Sequence, residues 1–87
     1  METGARVVLS TFNGSAKAPA GCKSQENYWA LIGQEGTILG FDAQLNRYLV
    51  QFDFSVQKLG LHCHNPQANS LYIQGIDLVA IGGIRNA

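Results

Sequence analysis

The sequence predicts a small all-β fold, an antiparallel barrel or sandwich of five or six short strands with a long first loop. Short runs of β-branched and apolar residues alternate with glycine-rich turns. No segment of ten or more residues has the apolar period of a helix. The length of 87 residues leaves room for one domain. We therefore expect a single domain over 1–87 with an ordered core at about 5–81.

The first strand is predicted in the run 4–11. Val7 and Leu9 alternate there with their neighbours, as in a half-buried strand. Residues 12–27 follow as a long loop of small and turn-forming residues, and such long connections are often functional. A compact apolar segment, 28–33, ends the loop.

The rest of the chain supplies the remaining predicted strands. The clearest run is 47–53, in which Tyr48, Val50 and Phe52 lie on one face. We expect Phe41, Tyr48 and Phe52 to fill the interior. The other predicted strands and their connections follow from apolar runs and turn residues: strands at 37–41, 59–64, 70–74 and 78–81, a hairpin connection at 42–46, a turn at 65–69, a tight or single 3₁₀ turn at 75–77, and a frayed end at 82–87.

Two glycines three residues apart, Gly33 and Gly36, bracket a predicted turn before the second strand. Glycine permits a positive φ at a turn or a bulge. The pattern is not a phosphate-binding loop, because it lacks a Gly-Lys-Ser/Thr sequence and a following helix.

The turn at 33–38 reads G-x-x-G-T-I, and the strand that follows it contains V-Q-F-D at 50–53. With the first strand, the long loop and the closing strand, this order resembles the SH3-like barrel superfold. The outline is similar to the PsaE subunit of photosystem I, the variable chain of ferredoxin–thioredoxin reductase, the barrel of the nitrile hydratase β-subunit and MIB/HERC2-type domains. PsaE-like chains also have a Tyr-Trp pair before the turn, as Tyr28-Trp29 here. The resemblance covers most of 5–81 and implies a ligand groove beside the long loop.

The composition excludes several classes of function. Hydrophobic residues make up 46% of the chain, which is too much for a disordered protein. Six basic residues balance six acidic ones, so we expect no nucleic-acid partner. No apolar run approaches the ~18–20 residues of a membrane span. The chain starts without an apolar leader and has only two cysteines, Cys22 and Cys63. Both observations predict a cytoplasmic protein with reduced thiols. Whether the two cysteines form a disulfide stays open.

Two groups of residues are candidates for a site. Tyr28 and Trp29 have the character of interface anchors, and the alternative for Trp29 is that it caps the barrel as part of the core. On a strand, His62 and His64 would point to the same face and could chelate a metal. A zinc site needs a third protein ligand and the chain has no further histidine. We therefore expect no metal and no cofactor.

The preferred interpretation is a non-catalytic binding or accessory module that acts through protein–protein contact or self-association. Charged residues make up only 14% of the chain against ~25% in an average domain, so neutral surface is left for an interface. The alternative is a small oligomeric enzyme or ligand-binding protein with its site at a subunit interface, as in the type II dihydrofolate reductases, which the chain resembles in architecture only. The candidate interface residues are Tyr28, Trp29, His62, His64, Tyr72 and Gln74.

Overall fold

The computed structural model describes residues 1–63 and 65–81, and five strands within them form one antiparallel sheet. The order in the sheet is β4-β3-β2-β1-β5, so the first strand lies between the second and the last. This confirms the predicted all-β class. The strands are β1 (Arg6–Leu9), β2 (Glu35–Asp42), β3 (Arg47–Phe52), β4 (Ser70–Ile73) and β5 (Leu78–Ala80).

Short 3₁₀ turns interrupt the connections between strands. Two of them lie in the long segment between β1 and β2, one follows β3, and one joins β4 to β5. None of the helical segments in 1–63 and 65–81 has the length and apolar character needed to cross a bilayer. The turns are Ser24–Glu26, Tyr28–Leu31, Gln57–Leu59 and Gly75–Asp77.

The buried face of the sheet follows the alternation of the sequence. Val7 and Leu9 of β1 are buried, as are Val50 and Phe52 of β3. The longest loops add further apolar side chains beneath the sheet. The core cluster comprises Val7, Leu9, Phe12, Leu31, Ile38, Val50, Phe52, Val56, Leu61, Leu71, Ile73 and Leu78.

The two glycines of the G-x-x-G turn serve different purposes. Gly33 has a φ of 93°, the left-handed conformation that was predicted for this turn. Position 36 has no room for a side chain, because β2 and β3 approach closely there. A Cβ at Gly36 would lie 2.6 Å from the carbonyl oxygen of Gln51 and 2.9 Å from Cγ1 of Val50.

The prediction of a strand at 59–64 is wrong over the described residues 59–63. The segment starts with the end of a 3₁₀ turn, and Gly60 follows with a φ of 78°, which breaks an extended run. Backbone hydrogen bonds then lead away from the sheet: the Leu61 N–H donates to Val56 O and the His62 N–H to Gln25 O. Leu61 is nevertheless buried, which explains why the sequence alternates as a strand does. His64 lies outside the described residues.

The prediction that Phe41 fills the interior is also wrong, because its side chain is 52% exposed. A β-bulge between Ile38 and Gly40 shifts the register of β2, so Phe41 lies directly opposite Tyr48. Their rings are 4.8 Å apart between centroids. The pair lies next to the turn that joins β2 to β3, one residue pair before the end of the ladder at Asp42 and Arg47.

Candidate functional site: an aromatic groove beside the first loop

The long segment between β1 and β2 forms an open groove of about 550 Å³. Three aromatic side chains form one wall. The rest of the lining consists of loop residues, some of them small, one basic and one acidic. We call it the aromatic groove; its lining residues are Phe12, Asn13, Pro19, Gly21, Cys22, Lys23, Glu26, Tyr28 and Trp29.

The aromatic wall is a contiguous cluster. The Phe12 ring packs edge-on against Trp29 at 4.9 Å between centroids and lies 5.6 Å from the Tyr28 ring. Phe12 is buried, whereas Tyr28 and Trp29 are half-buried. Trp29 packs against the core cluster and also lines the groove.

The rim of the groove begins with a tight two-residue turn. The backbone groups of Phe12 and Ser15 exchange two hydrogen bonds, and the intervening Asn13 and Gly14 have φ angles of 50° and 78°. Positive φ at both central residues is typical of a type I′ turn, for which Asn-Gly is the preferred pair. Phe12 is thereby fixed at the base of the rim, with its ring in the cluster.

A buried carboxylate from the other end of the chain holds this turn in place. Asp77 is fully buried, and its Oδ1 accepts hydrogen bonds from Thr11 Oγ1 at 2.6 Å and from the Gly14 N–H at 2.9 Å. Its Oδ2 accepts one from the Asn13 N–H at 2.9 Å. These bonds satisfy the carboxylate and two backbone donors of the turn, so we call this arrangement the Asp77 clamp.

Tyr28 is fixed by a second long-range bond. Its hydroxyl donates to the carbonyl oxygen of His62 at 2.7 Å, and the His62 N–H donates to the carbonyl oxygen of Gln25. Burial, followed by the nearby negative charge of Glu26, raises the pKa of the Tyr28 phenol, so the hydroxyl keeps the proton that it donates. The structure brings Tyr28 and His62 together through the backbone of His62.

Two buried polar atoms near the cluster have no hydrogen-bond partner within the described part of the chain: Trp29 Nε1 and Asn27 Oδ1. An unpaired buried donor or acceptor costs free energy of about 1–3 kcal/mol, which bound water or a ligand can recover. Both belong to the segment that builds the aromatic wall.

The other predicted site residues lie in separate places. Tyr72 of β4 is opposite Leu49 and lines a small pocket of about 190 Å³ with Gly40 and Phe41. Gln74 lines a different groove, beside Tyr48. The described members of the predicted set therefore do not converge on one cavity. The sequence reasoning missed Phe12 and Asp77; the Asn13-Gly14 pair was the available signal for the turn next to Phe12.

The histidine and cysteine residues form no metal site in the described ranges, where no group of three or more His, Cys, Asp or Glu side chains could hold an ion. Cys22 and Cys63 are both free thiols. The Cys63 thiol points to backbone carbonyls, with Sγ 3.4 Å from the oxygen of Ser70. His64 lies outside this search.

A charged cluster lies on the outer face of the sheet, away from the groove. Arg6 donates through Nη1 to Asp53 Oδ1 at 2.8 Å and also forms an ion pair with Glu35 at 3.3 Å. The hydrogen bonds from Arg6, aided by its charge, hold the pKa of Asp53 below its ordinary value. All three side chains are substantially exposed, so the pairing is a surface feature.

We expect Asp53 to make the fold acid-sensitive. Because its pKa is lower in the folded than in the unfolded chain, its stabilisation is complete above the unfolded value of about 3.9. It is lost as the pH falls from there towards the folded pKa. The thermal midpoint of Asp53→Asn should therefore fall less steeply with acid than that of the wild type.

The control for this test is Asp42→Asn, which changes a carboxylate bonded only to backbone N–H groups of its own turn in the contacts described. Added salt should reduce the difference in acid dependence between the thermal midpoints of wild type and Asp53→Asn, because Arg6 and Asp53 are both exposed and salt screens their attraction. If the thermal midpoints of wild type and Asp53→Asn fall equally steeply as the pH decreases, Asp53 is not the source of the acid sensitivity.

Comparison of the chain with protein-family models, with curated proteins and with solved structures gives no match.

Proposed function

We propose that the chain is a non-catalytic protein-binding module of the SH3-like type and that the aromatic groove binds a short segment of a partner protein. The observation that carries this proposal is the convergence of Phe12, Tyr28 and Trp29 on one open groove of about 550 Å³. Aromatic side chains dominate binding energetics because they bury much apolar area at a low entropic cost.

The strand order supports the SH3-like part of the proposal. A sheet ordered β4-β3-β2-β1-β5, with a long loop after β1 and a 3₁₀ turn before β5, has the element order of that superfold. Closure of the sheet into a barrel is part of the proposal.

The groove is pre-organised, which favours binding over a purely structural role. The Asp77 clamp fixes its rim, and the bond from Tyr28 to the backbone of His62 fixes its wall. A surface that is already ordered loses less conformational entropy when a ligand binds.

The rim indicates the chemistry of the partner segment. Lys23 and Glu26 are exposed and place one charge of each sign beside the aromatic wall. We therefore propose an extended segment with apolar side chains for the wall and polar or mixed-charge residues at its flanks, rather than a highly charged one.

The test uses Trp29, the single tryptophan of the sequence, as its reporter. Peptides selected from a random displayed library against the purified protein should change the Trp29 emission on binding. Tyr28→Ala should weaken the selected peptides by about tenfold or more, since it removes one aromatic anchor. Glu26→Lys should shift the selection towards acidic flanks.

Lys58→Glu is the matched control, because Lys58 is exposed and does not line the groove. It should leave peptide affinity within about threefold of wild type. Peptides that bind equally well to wild type and Tyr28→Ala, and that leave the Trp29 emission unchanged, would place binding elsewhere and overturn the proposal. Circular dichroism of Tyr28→Ala separates loss of an anchor from loss of the fold.

A further inference from the structure

The turn at the rim of the aromatic groove contains the one Asn-Gly pair of the sequence, Asn13-Gly14. This dipeptide is especially prone to spontaneous deamidation, because glycine has no side chain to shield its backbone nitrogen. The Gly14 nitrogen loses its proton and attacks Cγ of Asn13, the Cγ–Nδ2 bond breaks, and ammonia leaves. Water then opens the resulting succinimide at either carbonyl and gives aspartate or isoaspartate. Both residues are exposed, so water reaches this ring.

The left-handed conformation of Asn13 keeps the two reacting atoms apart. Its φ is 50°, and ψ is about +30 to +60° in this region of backbone conformation. At such a ψ the Gly14 nitrogen lies nearly opposite to Cβ of Asn13 across the Cα–C bond, whereas the five-membered ring needs them on the same side. The two hydrogen bonds between the backbones of Phe12 and Ser15 hold this conformation. Cyclisation therefore requires that the turn opens first.

The Asp77 clamp resists this opening and also engages the nucleophile. The Gly14 N–H donates to Asp77 Oδ1 and the Asn13 N–H to Oδ2, each at 2.9 Å. Hydrogen bonds to a charged acceptor are stronger than those to a neutral one. The Gly14 proton must leave before its nitrogen can attack, and a carboxylate beside it disfavours the amide anion that results. Both effects slow cyclisation in the folded chain.

The two products of the reaction differ in their effect on the turn. Oδ1 of Asn13 accepts a hydrogen bond from Arg47 Nη1 at 3.2 Å, and an aspartate at this position would keep that partner as an ion pair. Aspartate also tolerates a positive φ. Isoaspartate instead adds a methylene group to the main chain, so the two-residue turn between Phe12 and Ser15 no longer closes. Isoaspartate therefore releases the rim of the groove permanently.

We propose that Asn13 is a deamidation site whose reaction the Asp77 clamp suppresses. Asn13 reacts from conformations in which the turn 12–15 is open, and the isoaspartate product prevents the turn from forming again. Such opening is local and does not require unfolding of the sheet. Asn13 lines the aromatic groove, so the modification places a negative charge on its rim. The proposal does not depend on what the groove binds.

The test follows deamidation of the purified chain at mildly alkaline pH by mass spectrometry. Trypsin cuts after Arg6 and Lys17, so the peptide 7–17 carries Asn13 as its single asparagine. The mass of this peptide increases by about 1 Da on deamidation, and chromatography separates its aspartate and isoaspartate forms. Synthetic peptide 7–17 under the same conditions gives the rate without the fold. The folded chain should deamidate at least about tenfold more slowly than this peptide.

Asp77→Ala should raise the rate in the folded chain by at least about fivefold, because it frees the turn and the Gly14 N–H. Gly36→Ala is the matched control, since its clash lies between β2 and β3 and leaves the clamp in place. The two variants are compared at urea concentrations that give them equal stability, and Gly36→Ala should then deamidate more slowly.

Two outcomes overturn the proposal. One is a rate in the folded wild type equal to that of the free peptide. The other is an equal rate for Asp77→Ala and Gly36→Ala at matched stability, which would assign the protection to the stability of the whole fold. If circular dichroism shows that Asp77→Ala does not fold, Thr11→Val replaces it in the comparison, because it removes the hydrogen bond from Thr11 Oγ1 to Asp77 Oδ1.

Discussion

Asp77→Ala should lower the free energy of unfolding by about 2–4 kcal/mol, a large share of the stability of a domain of this size. The side chain is fully buried and bonds Thr11, Asn13 and Gly14. Its removal leaves two backbone N–H donors and one hydroxyl without their acceptor, and it leaves a cavity at a fully buried position. The turn that anchors Phe12 loses its attachment, so the aromatic groove should loosen as well.

Urea denaturation measures this loss, and Asp42→Ala is its control. Asp42 also accepts two backbone hydrogen bonds, but in an exposed turn where water can replace it. We expect Asp42→Ala to cost only about 0.5–1 kcal/mol. Equal losses for the two variants would show that the burial of Asp77 does not matter, contrary to this account. A red shift of the Trp29 emission in folded Asp77→Ala would report the loosened groove.

Gly36→Ala should destabilise the fold by about 2–3 kcal/mol, although it adds a single methyl group. The new Cβ would meet the carbonyl oxygen of Gln51 at 2.6 Å and Val50 Cγ1 at 2.9 Å. A backbone oxygen in a paired strand cannot move without shifting β3, so β2 and β3 must separate locally. The free energy of unfolding from urea denaturation gives the size of the effect.

Gly40→Ala is the matched control in the same strand. Nothing in the described residues lies within 4 Å of a Cβ placed at Gly40, and its φ is outside the left-handed region. We expect a change of no more than about 0.5 kcal/mol in either direction. A Gly40→Ala variant as unstable as Gly36→Ala would mean that glycine is needed in β2 for a reason other than close packing.

Most of the sheet could be predicted from the sequence because its strands alternate clearly. Val7 and Leu9 mark β1, and Val50 and Phe52 mark β3. The strand predicted at 59–64 is wrong over the described residues 59–63, because a buried Leu61 beside exposed neighbours gives the same alternation in an irregular segment. Gly60 was the contrary signal, since its left-handed φ ends any extended run. Phe41 was misassigned because a bulge leaves no mark in a hydrophobic pattern.

The candidate site was only half predictable. Tyr28 and Trp29 stand out as a large aromatic pair at the end of a long loop, and both line the groove. The sequence predicts Asp77 as a turn residue, because an aspartate that is buried in the fold cannot be distinguished by sequence from an exposed one. Its donors lie 63 to 66 residues away in the chain, so only the folded structure can show that they meet.

The 3₁₀ turn Gly75–Asp77 takes part in two separate surfaces of the molecule. Ile76 is 78% exposed, whereas the next residue, Asp77, is fully buried and holds the rim of the aromatic groove. Gly14 of that rim also lies close to Ile76, since a Cβ there would be 3.9 Å from Ile76 Cδ1. One turn of three residues thus connects the rim of the aromatic groove with an exposed apolar side chain, so a substitution in this turn alters the surface at both places.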